Sequence, residues 1–374
     1  MVMWKWGACL LGISLAVAGC ADEWVEVRCL PATPFTYCIF AEGCGVGGQF
    51  VKFSPDGRLL GTISSTGPSR EVRIWDFETG KLLYVFHAPH PWMPCFSLDF
   101  SPDSRLVAVG FASWLAPTVR VWDVTTGHLV YELVEPLSKG PPLSQGYPWP
   151  AFSPDGKWLA VSLWEKKMVK IWDVASGKEL HVISAPVDVL AFSPDGNLLA
   201  GALVEDQDFR IKLWRVGTWE EVLTLPGHTD IYCLSFSPNS KLLATAFSDG
   251  TIKLWDVAGG QEVRTFLGHT GGLLSIAFSP DGRFLASSAR DHTIRLWDVA
   301  SGQGILAIDL WHLLKLGEGF ETEEQLALAK KVTRIHAVAY SPDGTLLASS
   351  IEIMRPDRCD EAILIWHLAA LVAK

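Results

Sequence analysis

Several side chains in this chain of 374 residues could do chemistry. His269, Ser287 and Asp291 are the types of a hydrolase triad, in which histidine takes the serine proton and aspartate orients the imidazole. His228, Thr245 and Asp249 repeat the set one step earlier, with threonine for serine. Chemistry needs such a set once; a set that recurs belongs to a structure that recurs. His87 and His90 stand at a metal-ligand spacing, but no third ligand is near and Pro89 and Pro91 stiffen the loop, so no metal is expected. Glu205-Asp206-Gln207-Asp208 lacks the glycine and closing glutamate of a calcium loop and reads as a solvated turn. "GCGVGG" at 43–48 has G-x-G-x-x-G spacing, yet it enters a strand instead of a helix, so the phosphate cradle is missing and no cofactor is expected.

One phrase dominates the chain. "AFSPDG" stands at 151–156, 191–196 and 277–282, with variants beginning at Lys52, Asp99, Ser235 and Ala339. Its prolines are Pro55, Pro102, Pro154, Pro194, Pro238, Pro280 and Pro342. The shorter intervals match a propeller blade of roughly 40–45 residues. In the unit 273–308, Leu273–Phe278 alternates as a strand and Ser-Pro-Asp-Gly turns the chain, with Pro280 presetting φ and Gly282 tolerating positive φ. Phe284–Ser288, the β-branched Thr293–Trp297 and Gly304–Ile308 read as three further strands. Four short antiparallel strands cannot bury both faces alone, so the units must stack.

The third strand ends in a mark of its own: Trp75-Asp76, Trp122-Asp123, Trp172-Asp173, Trp214-Arg215, Trp255-Asp256, Trp297-Asp298 and Trp366-His367. With these the chain resembles the WD-repeat β-propellers over about residues 35–368. The resemblance implies an all-β fold: a seven-bladed β-propeller of four antiparallel strands per blade. It also implies a relay from Trp255 through Thr245 and His228 to Asp249, and from Trp297 through Ser287 and His269 to Asp291. The other units lack the His–Asp pair and are expected to rely on packing. Arg215 and His367 depart from the Trp-Asp pattern, which weakens a local hydrogen bond and leaves the blade count unchanged.

An open ring would expose a sheet edge. Little chain follows "AILIWHLAALVAK", so the missing last strand should come from the start, with Phe35–Phe40 pairing to Ile363–Leu368. Cys44 and Cys359 would then lie on one face at one end of that pair. A Cys44–Cys359 disulfide is expected there, against the alternative of two free thiols too far apart to bridge. Cys95 and Cys233 fall in innermost strands and read as buried apolar fillers.

The first residues are a separate problem. Lys5 precedes an apolar run from Gly7 to Gly19, too short for a membrane-spanning helix. We read 1–19 as a signal peptide. Val17-Ala18-Gly19-Cys20 resembles the lipobox of bacterial lipoproteins, which implies acylation of Cys20 and a lipidated tether over 20–34. The alternative is an A-x-A site at Ala16-Val17-Ala18 and a secreted or periplasmic soluble protein. Export puts the remaining cysteines in an oxidising space. The formal net charge is −10, which argues against nucleic acid as a partner.

The propeller is expected over 35–374, with insertions at 132–150, which is Pro-rich, and at 309–333, where "ETEEQLALAKK" suggests a short helix near Thr322–Lys331. Trp92, Trp114, Trp149, Trp164 and Trp311 are not absorbed by the repeat and belong to loops of one face. Trp92, Trp114, Trp149 and Trp164 are either a binding patch or anchors that hold the insertions down. The expected function is a non-enzymatic scaffold, exported and membrane-anchored through lipid on the extracytoplasmic side, that presents this face to protein partners. The alternatives are a sugar or small-ligand receptor using the tryptophans, or an enzyme with its site at the channel mouth.

Overall fold

The structure is a computed structural model that describes residues 26–29, 36–40, 50–63, 71–90, 93–112, 116–134, 148–205, 208–309, 334–354 and 359–368. Seven antiparallel sheets follow one another in a ring. Blade one is Phe50–Phe53, Leu59–Ile63, Glu71–Asp76 and Leu82–His87; blade two is Cys95–Phe100, Leu106–Phe111, Thr118–Asp123 and Leu129–Val134. Blade three is Trp149–Phe152, Trp158–Leu163, Met168–Asp173 and Lys178–Ile183; blade four is Val187–Phe192, Leu198–Glu205, Asp208–Arg215 and Glu221–Pro226. Blade five is Ile231–Phe236, Leu242–Phe247, Ile252–Asp256 and Glu262–Phe266; blade six is Leu273–Phe278, Phe284–Ala289, Thr293–Asp298 and Gly304–Asp309.

Blade seven closes the ring with chain from both ends. Arg334–Tyr340, Leu346–Met354 and Cys359–His367 are joined by Thr36–Phe40, in register Tyr37 to Ile365 and Phe40 to Ala362. Arg334–Tyr340 then packs on Phe50–Phe53 of blade one. Sequence and structure agree on this closure. Glu26–Cys29 adds a fifth, outermost strand, paired Glu26 to Phe40 and Cys29 to Tyr37, where the sequence suggested only tether. The edge strand's unpaired N–H and C=O groups template this addition.

The repeated phrase is a turn with its own hydrogen bonds. In blade six Ser279 Oγ donates to Asp281 Oδ1 at 2.5 Å and accepts the Phe284 amide at 2.9 Å. Gly282 sits at φ 72°. Blades two and five place Ser104 and Ser240 there, both at φ 59°. Left-handed backbone costs a non-glycine residue about 1 kcal/mol. The added hydroxyl offsets it: Ser104 Oγ accepts the Asp56 amide of blade one, and Ser240 Oγ the Asp195 amide of blade four, each at 3.0 Å.

The aspartate of Trp-Asp builds the next turn. Asp298 Oδ1 accepts the Ser301 amide at 2.7 Å, and Asp76 Oδ1 the Thr79 amide at 2.8 Å. Six of the seven repeat tryptophans are buried between blades. Trp172 of blade three is half-buried, beside small gaps lined by Tyr131, Leu133, Val161 and Leu163.

Candidate functional site

Two polar sets were candidates for chemistry, and the structure separates them. In blade six the chain of contacts is continuous. Trp297 Nε1 donates to Ser287 Oγ at 2.8 Å; Ser287 Oγ lies 2.7 Å from His269 Nε2; His269 Nδ1 lies 2.9 Å from Asp291 Oδ2. Ser287 accepts the indole proton, so its own proton goes to Nε2 and the imidazole donates from Nδ1 to the carboxylate. Burial pushes the Asp291 carboxyl up, but the His269 imidazole, the Thr270 amide and the Thr293 hydroxyl together hold it well below the usual range. Ser287 is fully buried and bonded on both sides, which removes it as a nucleophile open to substrate.

In blade five the matching residues, with Thr245 for serine, do not connect. Trp255 Nε1 donates to Thr245 Oγ1 at 3.0 Å, but Thr245 then turns to the Lys253 carbonyl at 3.4 Å. His228 pairs with Asp249 at 2.8 Å on the surface, with 38% of its side chain exposed against 0% for His269. The cause lies two residues along the second strand. Phe247 is fully buried where blade six has Ala289, and the His228 ring rests on it with centroids 4.2 Å apart. The relay through His228 is therefore absent, a correction to the sequence reading.

A second correction concerns the units assigned to packing. Trp75 Nε1 donates to Thr62 Oγ1 at 3.1 Å in blade one, and Trp366 Nε1 to Ser349 Oγ at 3.3 Å in blade seven, with no His–Asp pair behind them among the described residues. In blades two, three and four the corresponding positions are Val109, Val161 and Gly201, which have no hydroxyl.

The loops that enter the innermost strands and those joining second and third strands share one face, here the entry face. Trp149 is not in an entry loop. It opens the innermost strand of blade three, its amide bonded to Ser162 Oγ at 3.1 Å, and its ring meets Phe50 of blade one edge-on at 5.9 Å. Two aromatic rings thus meet inside the ring, past blade two. Trp164 stands in a single turn of 3₁₀ helix, Trp164–Lys166, between the second and third strands of blade three, and is half-buried. Trp92, Trp114, Trp311, Cys44, Asp206, Gln207 and the expected helix near Thr322–Lys331 lie outside the described residues, as does the Cys359 side chain. The insertions are narrower than expected, since Glu132 pairs with Arg120 and Trp149 with Ser162 as strand.

Deeper in the ring the innermost strands are cross-linked. Lys52 Nζ of blade one pairs with Asp99 Oδ1 of blade two at 2.6 Å, and Asp99 Oδ2 accepts the Phe152 amide of blade three at 2.7 Å. Cys95 is buried; Cys233 is half-buried and directs its Sγ at the Ile276 carbonyl at 3.7 Å, and burial pushes its thiol up, so it is an inert filler. Nearer the mouth, Asp188 of blade four occupies the second position of its innermost strand. Sequence reasoning missed it, because one Asp in an alternating strand carries no visible signal. Enclosure by protein and the nearby Asp230 carboxylate push its carboxyl up to about 6. Among the described residues no group of three His, Cys, Asp or Glu side chains gathers as a metal site.

Comparison with known proteins follows the blades. The family model described as WD domain, G-beta repeat matches residues 80–123, 177–215, 219–256 and 260–298. Each match takes the outer strand of one blade and the three inner strands of the next, ending in blades two, four, five and six. WD repeat and SOCS box-containing protein 1 of Danio rerio is 34% identical over 99 residues, 25% of this chain and 23% of that protein. Periodic tryptophan protein 2 of Arabidopsis thaliana is 36% identical over 94 residues, 24% of this chain and 9% of that protein. Small ribosomal subunit protein RACK1 of Caenorhabditis elegans is 33% identical over 99 residues, 25% of this chain and 30% of that protein. The chain therefore spans less than a third of the length of each of these relatives. What it shares with them is the WD40 repeat, carried four times over in a ring of seven blades.

Proposed function

We propose that the chain is a scaffold that binds protein partners through its entry face, and that it is exported and held to a membrane by lipid on Cys20. The observation that carries the binding reading is the destination of the chemically capable residues. The buried His–Ser–Asp set is spent on holding Trp297, while Trp149 and Trp164, each half-buried, both lie at the entry end of blade three. Aromatic side chains that are only half-buried have surface left to give a partner. One relative is by name a small ribosomal subunit protein, which supports the same reading. The lipid anchor rests on the Val17-Ala18-Gly19-Cys20 sequence, and the Cys44–Cys359 disulfide on the blade-seven register.

Cross-linking in intact cells, followed by identification of captured proteins, tests the scaffold. Partners captured by wild type and lost in a Trp164→Ala variant of unchanged melting temperature are the expected result; no reproducible capture would sink the reading. Metabolic labelling with an alkynyl fatty acid tests the anchor, with label expected on wild type and absent from Cys20→Ser. Non-reducing peptide mapping tests the disulfide.

A further inference from the structure

The turns that join third to fourth strands lie on the face opposite the entry face, here the exit face, and five of them are built alike. An aspartate opens the turn, and four residues later a glycine at positive φ donates its amide to the aspartate carbonyl: Gly80, Gly127, Gly177, Gly260 and Gly302. Blade four departs from this twice. Arg215 stands for the aspartate and Trp219 for the glycine, with the same amide-to-carbonyl bond at 2.7 Å and φ 59°. Left-handed backbone strains a bulky side chain. Ser104 and Ser240 offset that strain through hydroxyl bonds to a neighbouring blade; Trp219 makes no side-chain hydrogen bond among the described residues. The neighbours depart with it. Trp158 opens the second strand of blade three, where the other blades have leucine or phenylalanine. His181 takes the outer-strand position of Tyr84 and Tyr131, which cover the glycine of the next blade and donate to a carbonyl there. The Trp219 ring meets Trp158 edge-on, with centroids 5.6 Å apart at 74°, and lies nearly parallel to His181 at 6.1 Å. All three are half-buried. The two indole N–H groups have no hydrogen-bond partner among the described residues and reach solvent. Packing alone accounts for neither the strained aromatic nor the two free donors.

We propose that the exit end of the seam between blades three and four docks a proline-rich protein segment in polyproline II form, with Trp158 and Trp219 as its platform. This surface is separate from the entry face. Complementarity selects the occupant. A polyproline II segment has no internal hydrogen bonds, so its carbonyls are free to accept from the indole N–H groups. Its prolines bring apolar rings and no N–H of their own that would need an acceptor. Aromatic-lined grooves are the surfaces on which such segments dock. A sugar stacks on indole too, but its hydroxyls donate as well as accept, and an indole can only donate.

Calorimetric titration of the full chain with decaproline tests this, with a Gly-Ser repeat peptide of equal length and chitohexaose as controls. Decaproline should bind saturably, about tenfold or more tighter than either control. Trp219→Gly restores the turn residue of five other blades, so it should weaken decaproline about tenfold or more while keeping or raising the melting temperature. Trp158→Leu should weaken it as well. Leu180→Ser, at an exposed position on the outer strand of blade three, should leave binding unchanged. No saturable decaproline binding, chitohexaose bound as tightly through Trp219, unaltered affinity in Trp219→Gly, or a melting temperature lowered by that change would each overturn the proposal; the last would make Trp219 a packing residue. Decaproline bound through Trp219, with no partner captured in cells through Trp164, would sink the entry-face reading and leave this one standing.

Discussion

Blades five and six place a histidine, a hydroxyl side chain, an aspartate and a tryptophan at the same four positions, with Thr245 in blade five for Ser287 in blade six. In blade six they form one buried line from Trp297 to Asp291; in blade five the line stops at Thr245, and His228 lies on the surface with Asp249. The residue that decides between them is outside the set. Blade six has the small Ala289 where blade five has the buried Phe247, on which the His228 ring rests. Volume at one neighbouring position thus decides whether a polar motif becomes a network.

The largest effect should separate the two histidines. His269→Ala takes one hydrogen-bond partner from each of a buried carboxylate and a buried hydroxyl and should cost about 2–4 kcal/mol. His228→Ala removes a surface pair and should cost under about 1 kcal/mol. Urea unfolding of both variants reads this, and equal costs would break the comparison.

A smaller effect contrasts two enclosed carboxylates. Asp291 is held well below its ordinary range by its partners, whereas Asp188 is pushed up to about 6 by enclosure and Asp230. Their pH dependences have opposite sign. Asp291 contributes stability present above pH 3.8, lost as pH falls toward its depressed folded value. Asp188 binds its proton more tightly folded than unfolded, so its contribution is full below pH 3.8 and lost as pH rises through about 6. Asp188→Asn should therefore stabilise by about 1–2 kcal/mol at neutral pH and by nothing near pH 3. A variant equally stable or less stable than wild type at neutral pH would contradict the unpaired carboxylate.

The blades and their closure were legible because a hexapeptide returns seven times and because Trp-Asp marks every third strand in five of them. Pairing of Thr36–Phe40 with blade seven followed from a sheet that was one strand short. The local outcomes were not legible. Whether His228 turns inward depends on Phe247, which contacts it only after two strands pair. Thr62 and Ser349 go unnoticed because a lone hydroxyl in a strand is common, and only register brings each beneath an indole. Trp149 looks like a loop residue after a Pro-rich stretch, yet the strand starts there and its ring turns toward Phe50. Asp188 is one acid among many until the ring closes around it.

The smallest effect concerns a group that blade seven carries alone. Tyr340 stands where five other blades have a buried phenylalanine, and its hydroxyl is buried without a partner. Burial, and then the charge of Asp281, push that phenol well above its ordinary range, beyond any working pH. Tyr340→Phe should be neutral or stabilising by up to about 1 kcal/mol. A clear loss of stability would mean that the hydroxyl is satisfied after all.

Double-mutant cycles test the central claim most directly, that the repeated polar residues are a packing device whose strength the neighbours set. His269→Ala and Asp291→Ala, singly and together, should give a coupling of about 2 kcal/mol or more; His228→Ala and Asp249→Ala should give about 0.5 kcal/mol or less. Similar couplings in the two blades, or a larger one in blade five, would contradict the account.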